Sequence, residues 1–540
     1  MRFEVKKGNF NKFFVECTAE NVDEYWMYNE IQKTVSRSEY KPFIRSMNKT
    51  ITKTYWYNNR FFPAQFLNDV RRALNPILEY RNLPKMQVIG EEKLHMNIDR
   101  SEFDDYVYNF LKFPDKYDLR SEKYLFQPES AYNALCAKTA RIEIGTSGGK
   151  TMITYLYCRY LIDRIIPTIR SKAKQIVIVV PRKILVTQLQ SDFGEYQSLM
   201  PEDKQIRVAT CYDAPKKQAA ANVIVGTFQT LREYEEDFYE DIIAFICDEV
   251  HTGKAYSIRS EIFPKMKNLH FTFGMSGTMP KYNTLDYIDI VSVFGDVVFE
   301  RKAKTLIETG VSTPVKIHVI KINYKGEIAK YSTRLKEAGI IGTEKYHEEK
   351  NFVQHIEERN NIMAKLIEHP AFEGNSLVLV ETVSYCKELK EYFKNKFEDR
   401  PVEIIYGNTK DKIREDIKKN IEESSNYILI ATYETMSTGV SIKRINNIFF
   451  PDGGKSYIRI IQSIGRGLRL HKDKQLLHVF DLQDNMRNSA LWNQALERNK
   501  IYREEGHKYT VTETTIGTEW EATELETTEQ YTTNNELIYG

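Results

Sequence analysis

Residues 242–250 read IIAFICDEV, a run of six apolar residues followed directly by two acids. A short, continuous apolar run is typical of a strand that is buried on both faces of a parallel sheet. Carboxylates are costly to bury without a cation or a proton partner, so acids at the end of such a strand are informative. Asp248 and Glu249 therefore mark both an edge of the sheet and a candidate site.

Similar runs recur along the chain and alternate with polar segments of helical length. The other runs are QIVIVVP (175–181), NVIVGT (222–227), HFTFGMSGT (270–278), SLVLVET (376–382), VEIIYG (402–407), YILIAT (427–432), NNIFFP (446–451) and LHVFDL (477–482). This alternation predicts an α/β fold in which helices cover parallel sheets. A segment rich in Lys and Glu, between about 279 and 375, separates the runs into two groups. Two α/β lobes are therefore expected.

The composition is that of an ordinary globular protein. The 540 residues exceed the roughly 250–300 at which single cores stop growing, so several domains are expected. Lys+Arg 77 and Asp+Glu 75 nearly balance, so any affinity for nucleic acid must come from local patches. No apolar run approaches the ~18 residues of a membrane span and no signal-peptide core follows the first residues, which predicts a cytoplasmic protein with no membrane partner. The scattered cysteines argue against a zinc site and a disulfide framework.

Residues 145–151, GTSGGKT, end as a phosphate-binding loop does. The usual pattern is G-x-x-x-x-G-K-[ST], and its first glycine is here replaced by Ile144. The two glycines before Lys150 allow the backbone to approach phosphates, the lysine supplies charge, and the Thr151 hydroxyl can ligate Mg²⁺. The loop predicts an ATP site. The alternative is a glycine-rich turn that caps a helix.

The acids after the 242–247 run fit the same chemistry. One carboxylate can hold Mg²⁺ while its neighbour orients and deprotonates the attacking water. We assign Asp248 to the metal and Glu249 to the water. The alternative is a turn with two solvated acids.

A third element, QSIGRGLR, spans residues 462–469. Arg466 and Arg469 share a face if the segment is helical, and planar guanidinium groups suit the charge on a γ-phosphoryl group in transfer. An arginine in this role is worth on the order of 10³–10⁵ in rate. If the loop and the acids belong to the first lobe and the arginines to the second, ATP binds in a cleft. The alternative is a basic helix face that pairs with surface acids.

Together these elements resemble the motifs of superfamily 2 helicases and translocases, in the order found in DEAD/DEAH-like proteins. In the family's terms the matching segments are GTSGGKT (motif I), Pro181–Gln188 (Ia), Gly226–Gln229 (Ib), Asp248–His251 (II), Ser276–Thr278 (III), 377–382 (IV), Thr432–Gly439 (V) and Gln462–Arg469 (VI). The resemblance implies two RecA-like lobes, ATP and Mg²⁺ as cofactors, and coupling of nucleotide state through motif III. The chain departs from the pattern at Ile144 and at Val380-Glu381, where an aromatic residue is common.

A narrower resemblance is to the UvsW-type branch-migration helicases of tailed phages. It is carried by FFPAQFLNDVRRAL (61–74), SGGKT (147–151), STGVS (437–441) and RNKIYREEGHKYTVTETTIG (498–517). It implies an ATP-hydrolysing DNA helicase that acts on branched, forked or single-stranded DNA, largely independently of sequence, in recombination, repair or replication. It also implies a small amino-terminal α+β DNA-binding domain. The expected boundaries are 1–95 for that domain, 96–310 and 311–490 for the two lobes, and 491–540 for an extension with an acidic tail.

The motifs and the resemblance together define the expected site residues. The expected catalytic residues are Lys150, Asp248, Glu249, Gln462, Arg466 and Arg469. The expected nucleotide-binding residues are Gln127, Gly145, Thr146, Ser147, Gly148, Gly149, Lys150, Thr151 and Gly439, with Thr151 and Asp248 as Mg²⁺ ligands. The lobe residues expected to contact the DNA backbone are Arg182, Thr227, Gln229, Thr432 and Thr438.

The amino-terminal region has its own case for binding DNA. Between Lys33 and Arg72 the basic residues outnumber the acids, and aromatic residues are interleaved with them. This composition is typical of surfaces that track a phosphate backbone and stack on bases. The alternative is that the aromatic residues form the core of the small domain and the cations solvate it. The DNA contacts predicted here are Arg45, Lys49, Lys53, Trp56 and Arg60.

Two other functions remain open. One is the motor subunit of a restriction system, although the chain ends contain no PD…(D/E)xK nuclease constellation. The other is a nucleotide-gated, RNA-remodelling clamp that closes and releases without tracking. Stimulation of ATP turnover by junction DNA, single-stranded DNA or RNA distinguishes these functions.

Overall fold

The computed structural model describes residues 1–8, 13–44, 47–211, 221–252, 255–437, 442–452, 471, 473–486, 488–504, 507–516 and 526–528. The chain divides into two compact units. The first comprises Met1–Gly145 and Gly149–Lys302, and the second comprises Thr146–Gly148 and Ala303–Gly540.

The first unit begins with a small α+β domain. Its elements are β1 (Arg2–Lys7), β2 (Phe13–Thr18), α1 (Trp26–Thr34), β3 (Ser36–Ile44), β4 (Met47–Thr54), β5 (Phe61–Pro63), α2 (Leu67–Tyr80) and β6 (Val88–Ile89). Four strands form a sheet in the order β5-β2-β1-β6, and β3 pairs with β4 in a separate antiparallel ribbon.

The remainder of the first unit is an α/β lobe. Its elements are α3 (Arg100–Asp105), α4 (Phe126–Ala137), β7 (Thr139–Ile144), α5 (Lys150–Tyr160), β8 (Gln175–Val180), α6 (Lys183–Tyr196), β9 (Val208–Cys211), β10 (Val223–Thr227), α7 (Phe228–Leu231), α8 (Glu236–Tyr239), β11 (Ile242–Asp248), α9 (Ala255–Ser257), β12 (Phe271–Ser276), α10 (Leu285–Phe294) and β13 (Val297–Arg301). The strand order is β13-β7-β12-β11-β8-β10-β9, and these neighbours pair in parallel.

The second unit is also an α/β lobe. Its elements are α11 (Ala303–Glu308), β14 (Val315–Tyr324), α12 (Gly326–Glu337), α13 (Gly342–Gln354), α14 (Glu357–Glu368), β15 (Ser376–Val380), α15 (Val383–Lys396), β16 (Val402–Ile405), α16 (Asp411–Glu423), β17 (Ile428–Thr432), α17 (Tyr433–Ser437), β18 (Asn447–Phe450), β19 (Leu477–Asn485), α18 (Ala490–Glu504), β20 (Tyr509–Ile516) and β21 (Glu526–Thr528). The strand order is β16-β17-β15-β18-β19-β14-β20-β21. Pairing is parallel from β16 to β20, and β21 joins antiparallel to β20.

The predicted fold class is confirmed: two RecA-like parallel-sheet lobes follow a small α+β domain. Each of the nine apolar runs forms a strand. In the second lobe, β20 and β21 extend the sheet with residues assigned by the sequence to the extension and its solvated tail. Within the described ranges, every helix is too short or too polar to cross a membrane.

Two buried ion pairs stabilise the second lobe. Arg359 is 0% exposed and donates to both carboxylate oxygens of Asp484, at 2.7 and 2.9 Å. Arg498 donates in the same way to Asp481, which is also buried. Bidentate hydrogen bonds of this kind offset much of the free-energy cost of removing the two charges from water. Removal of one partner leaves the other charge buried and unpaired, which lowers the free energy of unfolding by about 3–5 kcal/mol.

The amino-terminal domain shares its hydrophobic core with the first lobe. Its buried aromatic residues include Tyr55, Trp56 and Phe62, and they pack in one cluster with Ile288 and Val291 of α10. Both α10 side chains are only 1% exposed. The domain is therefore built onto the lobe rather than attached by a linker, and its aromatic residues serve largely as core.

Replacement of Ile288 by alanine should lower the free energy of unfolding by about 2–5 kcal/mol, because it opens a cavity in this shared core. It should also make residues 1–95 more sensitive to limited proteolysis, although the substitution lies in the lobe. Denaturant titration and proteolysis measure the two effects. Ile413, which is 48% exposed, supplies the control, because its replacement by alanine should leave both unchanged.

Candidate nucleotide site and nucleic-acid contacts

The sequence motifs of the first lobe meet at one edge of its sheet. In the parallel register Glu143 lies opposite Ser276, Met275 opposite Asp248, and Cys247 opposite Val179. The carboxyl ends of β7, β12, β11 and β8 are therefore level with one another. This edge is where ligands bind in open α/β sheets.

The predicted phosphate-binding loop connects β7 to α5. Gly149 precedes the first residue of α5 and has φ 77° and ψ 37°, a left-handed conformation that favours glycine. A Cβ added at this position would lie 2.2 Å from Nε2 of Gln127. The glycine thus allows the loop to pack against Gln127, which the sequence placed beside the nucleotide. The amino terminus of α5 follows directly, and backbone N–H groups at such a helix end can bind an anion.

Lys150 and Glu249 face each other across this edge. Their side chains are 14% and 24% exposed, and Lys150 Nζ lies 3.7 Å from Glu249 Oε1. Lys150 Nζ also lies 3.5 Å from the carbonyl oxygen of Ile144. Nδ1 of His251 lies 3.2 Å from the other Glu249 oxygen, Oε2. The ammonium group and the proposed water-activating carboxylate are therefore in one site.

The backbone of Glu249 is held in an unusual conformation. Its φ is 53°, in the left-handed region that residues other than Gly, Asn and Asp seldom adopt. Backbone strain of about 1–3 kcal/mol persists only where the surroundings determine it, and it clusters at functional sites. Here the turn directs Glu249 toward Lys150 and His251 immediately after β11 ends.

Asp248 is placed to bind a cation. Its Oδ1 accepts a hydrogen bond of 3.0 Å from the Glu249 amide. Burial raises the pKa of Asp248 to about 6 and the charge of Glu249 adds to the rise, whereas Lys150 and His251 oppose it. A nearby cation would favour the ionised carboxylate. The local electrostatics therefore fit a Mg²⁺ ligand.

The described residues contain no group of three or more His, Cys, Asp and Glu side chains that could hold a metal by themselves. Mg²⁺ does not require such a group, since it is commonly held by one or two carboxylates together with substrate phosphates and water. Asp248 and the partly exposed Thr151 are the side chains predicted for this role, and their chemistry fits it.

Motif II is connected to motif III by hydrogen bonds. Nδ1 of His251 lies 2.7 Å from the Ser276 hydroxyl. That hydroxyl donates to the Thr278 carbonyl oxygen at 2.5 Å and lies 3.2 Å from the Thr278 amide. The sequence alone assigned no role to His251. Its position directly after Asp248-Glu249-Val250 in motif II was the signal that could have indicated one. The contacts form a continuous path from Glu249 to the segment after β12.

The predicted DNA contacts of the first lobe differ in accessibility. Gln229 is exposed and Arg182 is partly exposed. Thr227 is 3% exposed and caps α7, where its hydroxyl lies 3.3 Å from the Thr230 amide. Thr227 therefore shapes the turn that presents Gln229.

The second lobe has a pair of threonines at the same spacing. Thr432 ends β17, is 5% exposed and has its hydroxyl 2.7 Å from that of Thr435. The T-x-x-T spacing at 227–230 and 432–435 is a repeated sequence signal for these two turns. The other site residues predicted in this lobe lie outside the described residues: Thr438, Gly439, Gln462, Arg466 and Arg469.

The atypical motif IV has a structural explanation. Glu381 Oε2 lies 2.7 Å from Lys350 Nζ, and the Glu381 amide donates to Asp452 at 2.8 Å. Asp452 also accepts from Gln354 at 2.8 Å, and burial raises its pKa. The acid in place of an aromatic residue thus belongs to a polar network within the second lobe.

The predicted DNA contacts in the amino-terminal domain have structural partners. Trp56 is 7% exposed, so it presents no face to a base in this structure. Lys53 Nζ lies 2.5 Å from Asp289 Oδ2, and Arg60 lies 2.5 Å from Glu16 while its side chain remains 51% exposed. Lys49 lies in β4; its side chain and all of Arg45 are outside the described part of the chain.

Comparison with known proteins identifies related families. Residues 129–281 match the family described as "Type III restriction enzyme, res subunit", and residues 358–471 match the "Helicase conserved C-terminal domain". The ATP-dependent DNA helicase uvsW of Enterobacteria phage T4 is 28% identical over 431 residues, which cover 79% of this chain and 80% of that protein.

The chain is also similar to solved structures. The match to the crystal structure of T4 UvsW covers 96% of this chain and 100% of the UvsW chain, with 22% identity and a TM-score of 0.44. The match to the structure of S. cerevisiae Dbp5 bound to RNA and ADP BeF3 covers 72% of this chain and 90% of the Dbp5 chain, with 15% identity and a TM-score of 0.45.

Replacement of Gly149 by alanine should weaken ATP binding by at least tenfold. The new Cβ would force Gln127 away from the loop, and the left-handed backbone would cost about 1–2 kcal/mol for an L residue. Fluorescent-nucleotide titration measures the affinity. Gly194, in α6, has no neighbour within 4 Å of an added Cβ, so the Gly194→Ala variant should bind ATP normally. Weakened ATP binding in this control variant would contradict the explanation.

Proposed function

This chain belongs to the superfamily 2 helicases, which are ATP-dependent, and on that premise we propose that it unwinds or branch-migrates forked and branched DNA. The observation that carries the proposal is the convergence of Lys150, Asp248 and Glu249 beside the loop at one sheet edge. A glycine-rich turn or a solvated acidic turn requires no such convergence. The arrangement supplies a cation for phosphates, a metal ligand and a base within one lobe.

The roles of the first-lobe residues follow from their positions. Lys150 and the amino terminus of α5 bind the β- and γ-phosphates of ATP. Glu249 orients a water toward the γ-phosphate and takes its proton. Mg²⁺, when bound by Asp248 and Thr151, neutralises charge on the phosphates. His251 contacts the Glu249 carboxylate at 3.2 Å. Its contact with Ser276 connects this carboxylate to motif III.

The second-lobe residues keep the roles predicted from the sequence. Arg466 and Arg469 stabilise the charge that develops on the γ-phosphoryl group, and Gln462 belongs to the same catalytic set. Gly439 belongs to the nucleotide-binding set and Thr438 to the DNA-binding set. These assignments rest on the motif resemblance, since all five residues lie outside the described part of the chain.

Two observations support DNA as the track. Exposed Gln229 and partly exposed Arg182 lie beside the nucleotide edge, at the starts of α7 and α6, where polar side chains and helix amino termini can hold phosphates. The relative with 28% identity is named a DNA helicase. Contacts of this kind are to the backbone, so movement along DNA would be largely independent of sequence.

The match of residues 129–281 to a restriction-enzyme subunit family favours the restriction-system motor as a second candidate. ATP turnover and strand separation should be compared on forks, four-way junctions, linear duplexes, single strands and RNA hybrids at fixed ionic strength. Preference for forks and junctions supports the proposal. Activity on linear duplex alone supports the restriction motor, and a preference for RNA contradicts a DNA track.

Replacement of Glu249 by glutamine should retain ATP binding and reduce turnover by about 10²–10⁴-fold, because the amide cannot accept the proton of the attacking water. A steady-state phosphate-release assay with a nucleotide-binding titration separates the two properties. Glu233, whose side chain is 63% exposed, provides a matched Glu→Gln control that should be fully active. Normal turnover in Lys150→Ala would contradict the assignment of the site.

A further inference from the structure

The replacement of the first loop glycine by Ile144 has a structural counterpart in the neighbouring strand. Ile144 is the last residue of β7, and it lies opposite Arg301, the last residue of the edge strand β13. The carbonyl oxygen of Arg301 accepts a hydrogen bond of 3.0 Å from the Gly145 amide. Because a β-branched residue suits a strand better than glycine does, the pairing continues up to the loop. The phosphate-binding loop therefore starts from a backbone position that β13 fixes.

The side chain of Arg301 contacts the first residue of α4, which is Phe126. The centre of the guanidinium lies 4.5 Å from the centre of the Phe126 ring. Phe299, which shares a face of β13 with Arg301, stacks on the same ring at 6.4 Å with an interplanar angle of 18°. Phe126 is only 2% exposed, and a cation binds an aromatic face more strongly when the contact is removed from water. Strand β13 thus restrains the start of α4 as well as the start of the loop.

The first turn of α4 carries Gln127, the residue that the sequence placed beside the nucleotide. The residue at the N-cap of this helix is Leu125, whose side chain cannot accept a hydrogen bond from the first turn. Gln127 follows Phe126 directly and is 6% exposed. Its amide packs against Gly149, where an added Cβ would lie 2.2 Å from Nε2. The position of this amide therefore depends on the packing of Phe126.

Arg301 is thus connected to both ends of the phosphate-binding loop. Its backbone bonds to Gly145, and its side chain reaches Gly149 through Phe126 and Gln127. A glutamine amide can accept a hydrogen bond from the exocyclic amine of adenine and donate one to a ring nitrogen. A long side chain of this kind has many rotamers, so it selects one base over another only when its surroundings fix its position.

We propose that Arg301 is a positioning residue that sets the base selectivity of the nucleotide site, because it holds Phe126 so that Gln127 presents its amide to adenine. The proposal rests on the proposed function and deepens it by naming a determinant of nucleotide choice. Any side chain at position 301 keeps the backbone bond to Gly145. Substitution of Arg301 therefore removes only the route through Phe126.

The test measures steady-state phosphate release by the full chain with ATP and with inosine triphosphate, which carries an oxygen in place of the exocyclic amine of adenine. The ratio of kcat/KM for ATP to kcat/KM for inosine triphosphate reports the contact with that amine. Arg301→Ala should lower this ratio at least fivefold through a higher KM for ATP, while kcat at saturating ATP falls by less than twofold. Arg301→Lys keeps a cation over the ring and should retain more than half of the ratio. An unchanged ratio in Arg301→Ala overturns the proposal.

A matched control separates this role from general stabilisation of the lobe. The Arg100 guanidinium lies 4.9 Å from the centre of the Tyr132 ring, which is also on α4, and the Arg100 side chain is 47% exposed. Arg100→Ala removes a contact of the same kind from the same helix and should leave the ratio unchanged. A loss of active protein lowers the rates with both nucleotides equally, so the ratio is insensitive to stability. An equal fall in both variants would contradict a specific role for Arg301.

A double-mutant cycle with Gln127→Ala tests the route itself. Gln127→Ala should lower the ratio at least as far as Arg301→Ala does, and Arg301→Ala should cause no further fall when it is added to Gln127→Ala. A further fall, or an unchanged ratio in Gln127→Ala alone, shows that Arg301 does not act through Gln127 and overturns the proposal. If the unsubstituted chain hydrolyses neither nucleotide, the proposed function fails. Binding titrations of the two nucleotides then measure the same selectivity and test Arg301 separately.

Discussion

The parallel register of the first lobe is the constraint on which the site depends. Because β7, β12 and β11 are neighbours and end level with one another, residues far apart in the chain meet at one edge. Lys150 follows β7 and Glu249 follows β11, and the single strand β12 lies between these two strands, so their side chains come within 3.7 Å. The strained turn at Glu249 then directs its carboxylate inward. A shift of one residue in this pairing would turn every side chain of the shifted strand to the other face.

Much of this architecture could be predicted from the sequence, because strands buried on both faces give continuous apolar runs. The strands that escaped prediction carry polar residues with specific partners. In β7, Arg141 and Glu143 pair with each other at 3.2 Å, and in β14 Lys321 pairs with Glu513 of β20. Such strands interrupt the apolar pattern, so the second lobe was expected to end before β20.

The site was predicted in its chemistry but not in its supporting contacts. The motif residues are of types that bind phosphate and Mg²⁺, and their spacing along the chain was sufficient to group them. The packing of Gln127 on Gly149, and of His251 on Ser276, depends on tertiary geometry. The same limit applies to Lys53, whose partner Asp289 is 236 positions away. Basic composition alone could not distinguish an anchor from a DNA contact.

The strand β21 gives the second lobe a protected edge. Glu526–Thr528 pair antiparallel with Val511–Glu513 of β20, so part of the outer side of β20 already has a partner. Unpaired edge strands invite association with other chains, and a short strand with an acidic residue is one means by which proteins prevent it. Because β21 covers these three residues, β20 offers a shorter open edge at which another chain could add, a contribution to colloidal stability that is separate from motor function.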